Sequence, residues 1–437
     1  MKSQSNISLN WSGNVKANPK IIYPKNIDEL KKATNEKNFI FAGNQRSFGD
    51  NSINTNLIVS MKNFTKVIKF DKINGNLEVE SGVLLKDILT LIVSEGWCIP
   101  VTPGSKYVSI GGMIANNVHG KNISNNQIKH YVQSVKILTT KNEIINCSSK
   151  ENKRYFDITI GGFGLSGCIL TATIKLKKIN SVLIDQEIKE FKNYEEFFNL
   201  IKNTKNYEYN VNWIDTFGNE SFKGLCYYGK HSNINNEKSE RLFFKEKKIG
   251  LLSFVILKIF TQNYYLIKFT KFIFRKLKKF FYSRNANFDE FFYPQDFYTN
   301  WNKIYGKKGF FQVQFLVKEY DFKVVMDKIS KFFESERAFS TFVIIKKFEE
   351  TGKYLNFFGK GFSISMDIPI NNKFLITKDF LNGIFKEFEI KINFSKDYIC
   401  NKNIIKDKKE YSDFINELNS INPDRKLNSM FSKRLKI

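Results

Sequence analysis

Apolar and polar residues alternate with several different periods along this chain. Up to about residue 179, short period-two runs are interleaved with short helical patterns. The run Phe39–Ala42 is almost wholly apolar and opens into a glycine-containing turn, as a buried strand feeding a loop does. Val67–Asp71 and 77–81 flank Asn74-Gly75, a dipeptide that tolerates positive φ and predicts a hairpin. In 84–95, Leu84, Ile88, Leu91 and Ile92 fall at helical spacing, and Gly96 stands where a left-handed residue closes a helix. A second hairpin is predicted for 132–139 with 143–146 around Lys141-Asn142. The stretch 168–177 alternates, with Ile169, Thr171, Thr173 and Lys175 on one face and Leu170, Ala172, Ile174 and Leu176 on the other.

From about 180 to 390 the pattern predicts strands such as 311–317 and 362–368 with helices between them, an antiparallel sheet flanked by helices. The tail, 391–437, reads as a strand-like KINFSKD, a helix over 409–418 and a basic end. The whole reads as an α+β chain in three parts, 1–180, 181–390 and 391–437, the last returning to the first.

Composition changes this picture in one respect. Sixty-nine Lys and Arg against 43 Asp and Glu give a net charge of +26, which implies an anionic partner or a broadly basic solvated surface. Part of the excess lies in 243–282, where aromatic and apolar residues are interleaved with Lys and Arg and no acid follows Glu246. Such a segment reads as a membrane-interface stretch or as a helix with a solvated basic face. No stretch is long enough to span a bilayer, and the N-terminus lacks the apolar region of a secretion signal, so a cytoplasmic protein is expected, with peripheral contact at the inner face of the membrane. The five cysteines are scattered, with no metal-ligand spacing, and read as reduced core thiols; no metal is expected.

Candidate chemistry gathers in two small-residue loops. The first follows the strand Phe39–Ala42 and contains Gly43, Ser47, Gly49 and Asp50; successive N–H groups in such a turn can face phosphate oxygens. The second, 101–122, is dominated by Gly104, Ser105, Ser109, Gly111, Gly112 and Ala115 and ends in His119, Gly120, Lys121 and Asn122. Two such loops about sixty residues apart form the halves of an anion cradle. Gly162, Gly164 and Gly167 match G-x-G-x-x-G literally, but a period-two strand follows instead of a helix, so a dinucleotide-binding reading is rejected.

RSFGDN (46–51), TPGSKYVSIGGMIANNVHGKN (102–122) and GGFGLSGCI (161–169) together resemble the vanillyl-alcohol-oxidase, PCMH-type FAD-binding superfamily. YEYNVNWID (207–215), the block 291–315, GFSISMDIPI (361–370) and FSKD (394–397) extend the likeness, in order, to its decaprenylphosphoryl-ribose-oxidase-like branch. The resemblance runs from about 11 to 435 and implies a two-subdomain PCMH-type domain over 1–180, a substrate domain over 181–390 with the basic-aromatic insert 243–282, and non-covalent FAD. It places FAD against Phe41, Ala42, Gly43, Asn44, Gln45, Arg46, Ser47, Phe48, Gly49, Asp50 and Asn51. It adds Gly104, Ser109, Ile110, Gly111, Gly112, Asn116, Asn117, Val118 and His119 from the second loop, with Ile169 and Asn393. Arg46 stands where some members carry the histidine that bonds the flavin covalently. Lys396 and His119 are the expected catalytic residues; Gln312, Gln314, Lys346, Ser363, Ser365 and Trp213 are expected to line the substrate pocket.

Alcohol oxidation by a flavin needs a base for the hydroxyl proton, and a lysine whose pKa burial lowers, as expected for Lys396 in the apolar-flanked FSKD, suits that task. This chain differs from the branch at Ser363 and Ser365, in place of Asn and Cys, at Asn393 in place of Tyr and at Phe48 in place of Tyr, changes that keep the frame and alter the pocket. The expected reaction is oxidation of a secondary sugar hydroxyl, on a polyprenylphosphoryl pentose or, alternatively, on a small soluble polyol as in aldonolactone and alditol oxidases. An NAD(P)H-dependent short-chain reductase is the expected partner, and no nucleic acid is expected.

Overall fold

The computed structural model describes residues 3–5, 8–217, 222–233, 242–278 and 280–437. Among the described residues, the first region holds two larger sheets beside two short two-stranded ones. Ser3–Ser5, Lys20–Ile22, Leu57–Ser60 and Phe39–Ala42 form a four-stranded sheet in that order, its last three strands parallel. Parallel pairing there follows from the crossover helix Ile27–Ala33, which Asn26 caps by accepting the Glu29 N–H. The second sheet is antiparallel, in the order Ile144–Ser148, Val132–Leu138, Cys168–Lys175, Asn76–Glu80, Val67–Asp71. Both expected hairpins are present in it. The helix Leu85–Ile92 buries Leu85, Ile88, Leu89 and Ile92 against this sheet, and Gly96, at φ 77°, closes the short 3-10 turn that follows.

The second region is an eight-stranded antiparallel sheet in the order Asn285–Asn287, Leu183–Phe191, Lys223–His231, Tyr209–Asp215, Phe342–Glu350, Gly359–Pro369, Phe310–Val317, Lys391–Ile392. Strand alternation gives the sheet two unlike faces. Phe311, Val313, Phe315, Val343, Ile345, Ile364 and Met366 form the apolar face, buried under the helices Phe322–Glu336 and Phe374–Glu387. Gln312, Gln314, Lys346, Ser363, Ser365 and Asp367 alternate with them and point the other way. The α+β reading holds, with the parallel strands of the first sheet as an addition.

The strand Lys391–Ile392 pairs with Phe310–Val317 at the sheet edge, so the tail rejoins the first region only after it. There Leu427 bridges to Phe39, and the helix Met430–Leu435 sits beside the first loop. The glycines at 162, 164 and 167 belong to a loop that hydrogen-bonds the second loop's short helix, through Gly161 N to Ile114 O at 3.0 Å and Phe163 N to Ala115 O at 2.8 Å. All five cysteines are buried and unpaired. Of the insert 243–282, Lys279 lies outside the described residues; the rest contains two consecutive helices, Leu251–Gln262 and Tyr264–Lys278.

Candidate active site

The two small-residue loops are neighbours. Asn44 Nδ2 donates to Tyr107 O at 2.7 Å. A Cβ on Gly43 would lie 1.9 Å from Ser109 Oγ, so only glycine lets the loops approach this closely. Asn51 donates to the Asn116 side chain, and Asn116 Nδ2 to Gly112 O at 2.8 Å. Phe48 packs edge-on against Phe310, and the Arg46 guanidinium lies 3.7 Å over the Trp11 ring. Phe41, Ala42 and Ile169 sit in strands at the floor of this region.

Two details correct the expected cradle. The N–H groups of Ile110, Gly111 and Gly112 already serve the fold: they donate to Val83 O, Ser81 O and Ser109 Oγ at 3.0, 2.8 and 3.3 Å. Those three amides are therefore not open to a phosphate. Asp50 is not a free cradle carboxylate either. It is buried and held by Arg434 through Nε at 2.9 Å and Nη2 at 2.8 Å, while Arg434 Nη1 reaches Asp397 at 3.0 Å. This one guanidinium ties the first loop to the segment carrying Lys396, and Gly49 N donates to Ser395 O at 3.0 Å beside it.

Where the second loop ends, it meets the polar face of the large sheet. His119 Nε2 lies 3.0 Å from Gln314 Oε1, which also accepts from Asn393 Nδ2 at 2.8 Å. Gln314 Nε2 donates to Ser363 Oγ at 2.7 Å. Lys346 Nζ donates to Gly120 O at 2.7 Å and stands 3.5 Å from His119 Nδ1. Gln312 Nε2 donates to Asp367 Oδ1, and the remaining atoms of that pair, Gln312 Oε1 and Asp367 Oδ2, are buried without a protein partner. Ser365 is half-buried directly opposite Gln314 across the strand pair. Asn117, at φ 40°, turns the chain into this meeting point and donates to Gln127 Oε1 at 2.9 Å; Val118 packs beside it.

Charge in this cluster is strongly one-signed. Burial brings Lys396 down to about 8, with Asp367 pulling the other way. Burial pushes Asp367 up to about 6. Lys346 is held well below the ordinary lysine value by burial and then by the charges of Lys396 and Lys121. Lys121, which donates to Phe291 O, is brought to about 7 by burial. Burial, with Lys346 and Lys396 alongside, keeps His119 well below its usual value and hence neutral. A cluster with a neutral imidazole, lysines that give up a proton more readily than usual and unpartnered amide and carboxylate oxygens can bind hydroxyls and take up a proton.

His119, Gln312, Gln314, Lys346, Ser363, Ser365, Asn393 and Lys396 thus converge. Trp213 does not: it shares their sheet face but lies three strands from Gln314, roughly 14 Å at the usual strand spacing, under Phe274. Three contributors escaped the sequence reading. Asp367 had a signal, because it continues the period-two polar series of Ser363 and Ser365. Lys121 lay inside the motif that singled out His119. Arg434 had none, since its partners Asp50 and Asp397 lie 384 and 37 residues away.

The cofactor expected from the loops fits their geometry: a close-packed pair of small-residue loops, with Gly104 exposed and free of neighbours on its Cβ side. Comparison with known proteins agrees. Residues 19–148 match the family described as FAD binding domain. Decaprenylphosphoryl-beta-D-ribose oxidase of Mycolicibacterium smegmatis is 27% identical over 291 residues, 64% of this chain and 63% of that protein, a little under two thirds of its length. L-gulonolactone oxidase of Bos taurus is 23% identical over 172 residues, 38% of this chain and 39% of that protein. D-arabinono-1,4-lactone oxidase of Debaryomyces hansenii is 21% identical over 208 residues, 43% of this chain and 37% of that protein. The loop geometry and the domain match coincide: residues 19–148, which hold both loops, form an FAD-binding domain, and FAD is the cofactor.

Proposed function

We propose that this protein oxidises a secondary hydroxyl of a phosphate-bearing sugar, a polyprenylphosphoryl pentose in the first instance, to a keto-sugar. The observation that carries this reading is the charge of the cluster. After burial, the charges of Lys396 and Lys121 lower the pKa of Lys346, and those of Lys346 and Lys396 lower that of His119, with the Asp367 carboxylate acting against them at Lys396. An anionic substrate relieves that repulsion, whereas a neutral polyol leaves it in place.

In this reading the bound FAD supplies the two-electron acceptor. The loop 43–48 and the stretch 104–119 hold it non-covalently, since Arg46 cannot form the bond a histidine could. Lys396 in its neutral form takes the hydroxyl proton. Neutral His119, oriented by Gln314, together with Gln312 and the Asn393–Gln314 pair, positions the sugar. Ser363 and Ser365 leave more room than larger side chains would, which bears on the choice of sugar. An NAD(P)H-dependent short-chain reductase that returns the ketone with opposite stereochemistry would complete an epimerisation.

The likeness to lactone oxidases supports a second reading, oxidation of a small soluble polyol or lactone. Anaerobic reduction of the flavin-loaded protein by a substrate panel separates the two. Bleaching at least about tenfold faster with a polyprenylphosphoryl pentose than with free polyols is the expected result. The reverse order favours the second reading, and a protein that takes up no FAD overturns both.

A further inference from the structure

We propose that the helix pair Leu251–Gln262 and Tyr264–Lys278, with Phe280 and Phe281 after it, docks this protein onto the surface of an anionic lipid bilayer. The second helix is inside out. A surface helix ordinarily buries its apolar stripe and exposes its charges. Here the buried stripe is Tyr264, Ile267, Lys271 and Arg275, half of it cationic. Arg275 pairs with Glu190 at 2.6 Å and with Asp215 at 3.5 Å, and Lys271 Nζ lies 3.5 Å from Thr216 Oγ1. The outward side carries Phe269 and Leu277, 61% and 49% exposed.

The first helix adds to the same surface. Its contact with the body runs through Thr261, which donates to Ile304 O at 3.1 Å, and Gln262, which donates to Tyr305 O at 3.2 Å. Leu251 and Leu252 are 83% and 75% exposed, and Phe280 and Phe281 are 73% each. An exposed apolar surface of this extent marks an interaction face.

Charge selects the occupant. No acidic residue lies between Glu246 and Asp289, and Lys258 and Lys276 are exposed among the apolar side chains. Two copies meeting through this face would oppose two cationic, acid-free surfaces on chains of net charge +26. Anionic headgroups over an apolar interior complement both features. The helices, of 12 and 15 residues, are about 18 and 22 Å long, short of the ~30 Å hydrocarbon layer, so they lie on it and do not cross it. Phe274 of this pair packs on Trp213, which shares the sheet face of Gln314 and Ser365. The docked face therefore flanks the candidate site.

The test is co-sedimentation of the flavin-loaded full chain with phosphatidylglycerol-rich and with pure phosphatidylcholine vesicles. It reads binding, and so does not depend on which sugar is oxidised. The wild-type protein is expected in the pellet with anionic vesicles and at least about tenfold less with neutral ones. Leu251→Ser/Leu252→Ser/Phe280→Ser/Phe281→Ser is expected to abolish pelleting while the flavin spectrum stays unchanged. Wild-type protein left in the supernatant with anionic vesicles overturns the proposal. So does a concentration-dependent dimer that these same substitutions dissociate.

Discussion

His119 Nε2 and Gln314 Oε1 lie 3.0 Å apart, and that contact fixes how the imidazole carries its proton. Gln314 Nε2 is committed to Ser363 Oγ, so its Oε1 is the acceptor facing the ring. In this arrangement Nε2 carries the proton, and Nδ1 faces Lys346 Nζ 3.5 Å away. The histidine is set as a neutral hydrogen-bonding group between two regions of the chain.

Lys346→Met is expected to raise the pKa of His119, because the Lys346 charge is one of the causes that lower it. An NMR pH titration of the His119 ring in wild type and variant measures this directly. An unchanged or lower value in the variant would show that the two side chains are not coupled.

Lys396→Met is expected to slow substrate-driven flavin reduction by about 100-fold or more, with FAD still bound. If neutral Lys396 is the base, the wild-type rate rises with pH and levels off above an inflection near 8. Asp367 raises the Lys396 pKa, so Asp367→Asn is expected to shift that inflection to lower pH. Stopped-flow rates across pH 6–10 check both.

Arg434→Ala leaves Asp50 and Asp397, 1% and 0% exposed, without their cation. Stranding buried carboxylates costs about 3–5 kcal/mol, so a large drop in the denaturant midpoint is expected. Because Asp50 belongs to the first loop, weaker FAD retention on gel filtration should accompany it.

Gly43→Ala places a methyl within 1.9 Å of Ser109 Oγ and forces the two loops apart. Overpacking of this kind costs roughly 1–3 kcal/mol, and FAD affinity should fall at least about tenfold. Adding Ser109→Gly removes the obstructing atoms and should recover part of the loss, measured by flavin fluorescence quenching.

The elements of the first region were legible because each is local. Asn74-Gly75 makes its turn from its own backbone preferences, and Gly96 ends its helix through its own positive φ. The two loops were legible as a pair because small residues in succession have few other uses. Trp213 misled because a tryptophan's chemistry does not say what lies over it; Phe274, sixty residues on, decides that.

What the amino-acid order determined by itself is therefore the strand and helix periods, the loop pair, the decoy glycine motif and the basic-aromatic segment, all set by backbone preference and neighbouring side chains. The fold alone decided where burial and charge accumulate. It brought His119 to Gln314 and Lys346 across more than 190 positions, turned Asp50 to Arg434, and committed the Gly111 amide to Ser81. It also turned Lys271 and Arg275 inward and the phenylalanines outward. Those outcomes depend on which surfaces meet, and pKa shifts and partners follow from that contact and not from spacing along the chain.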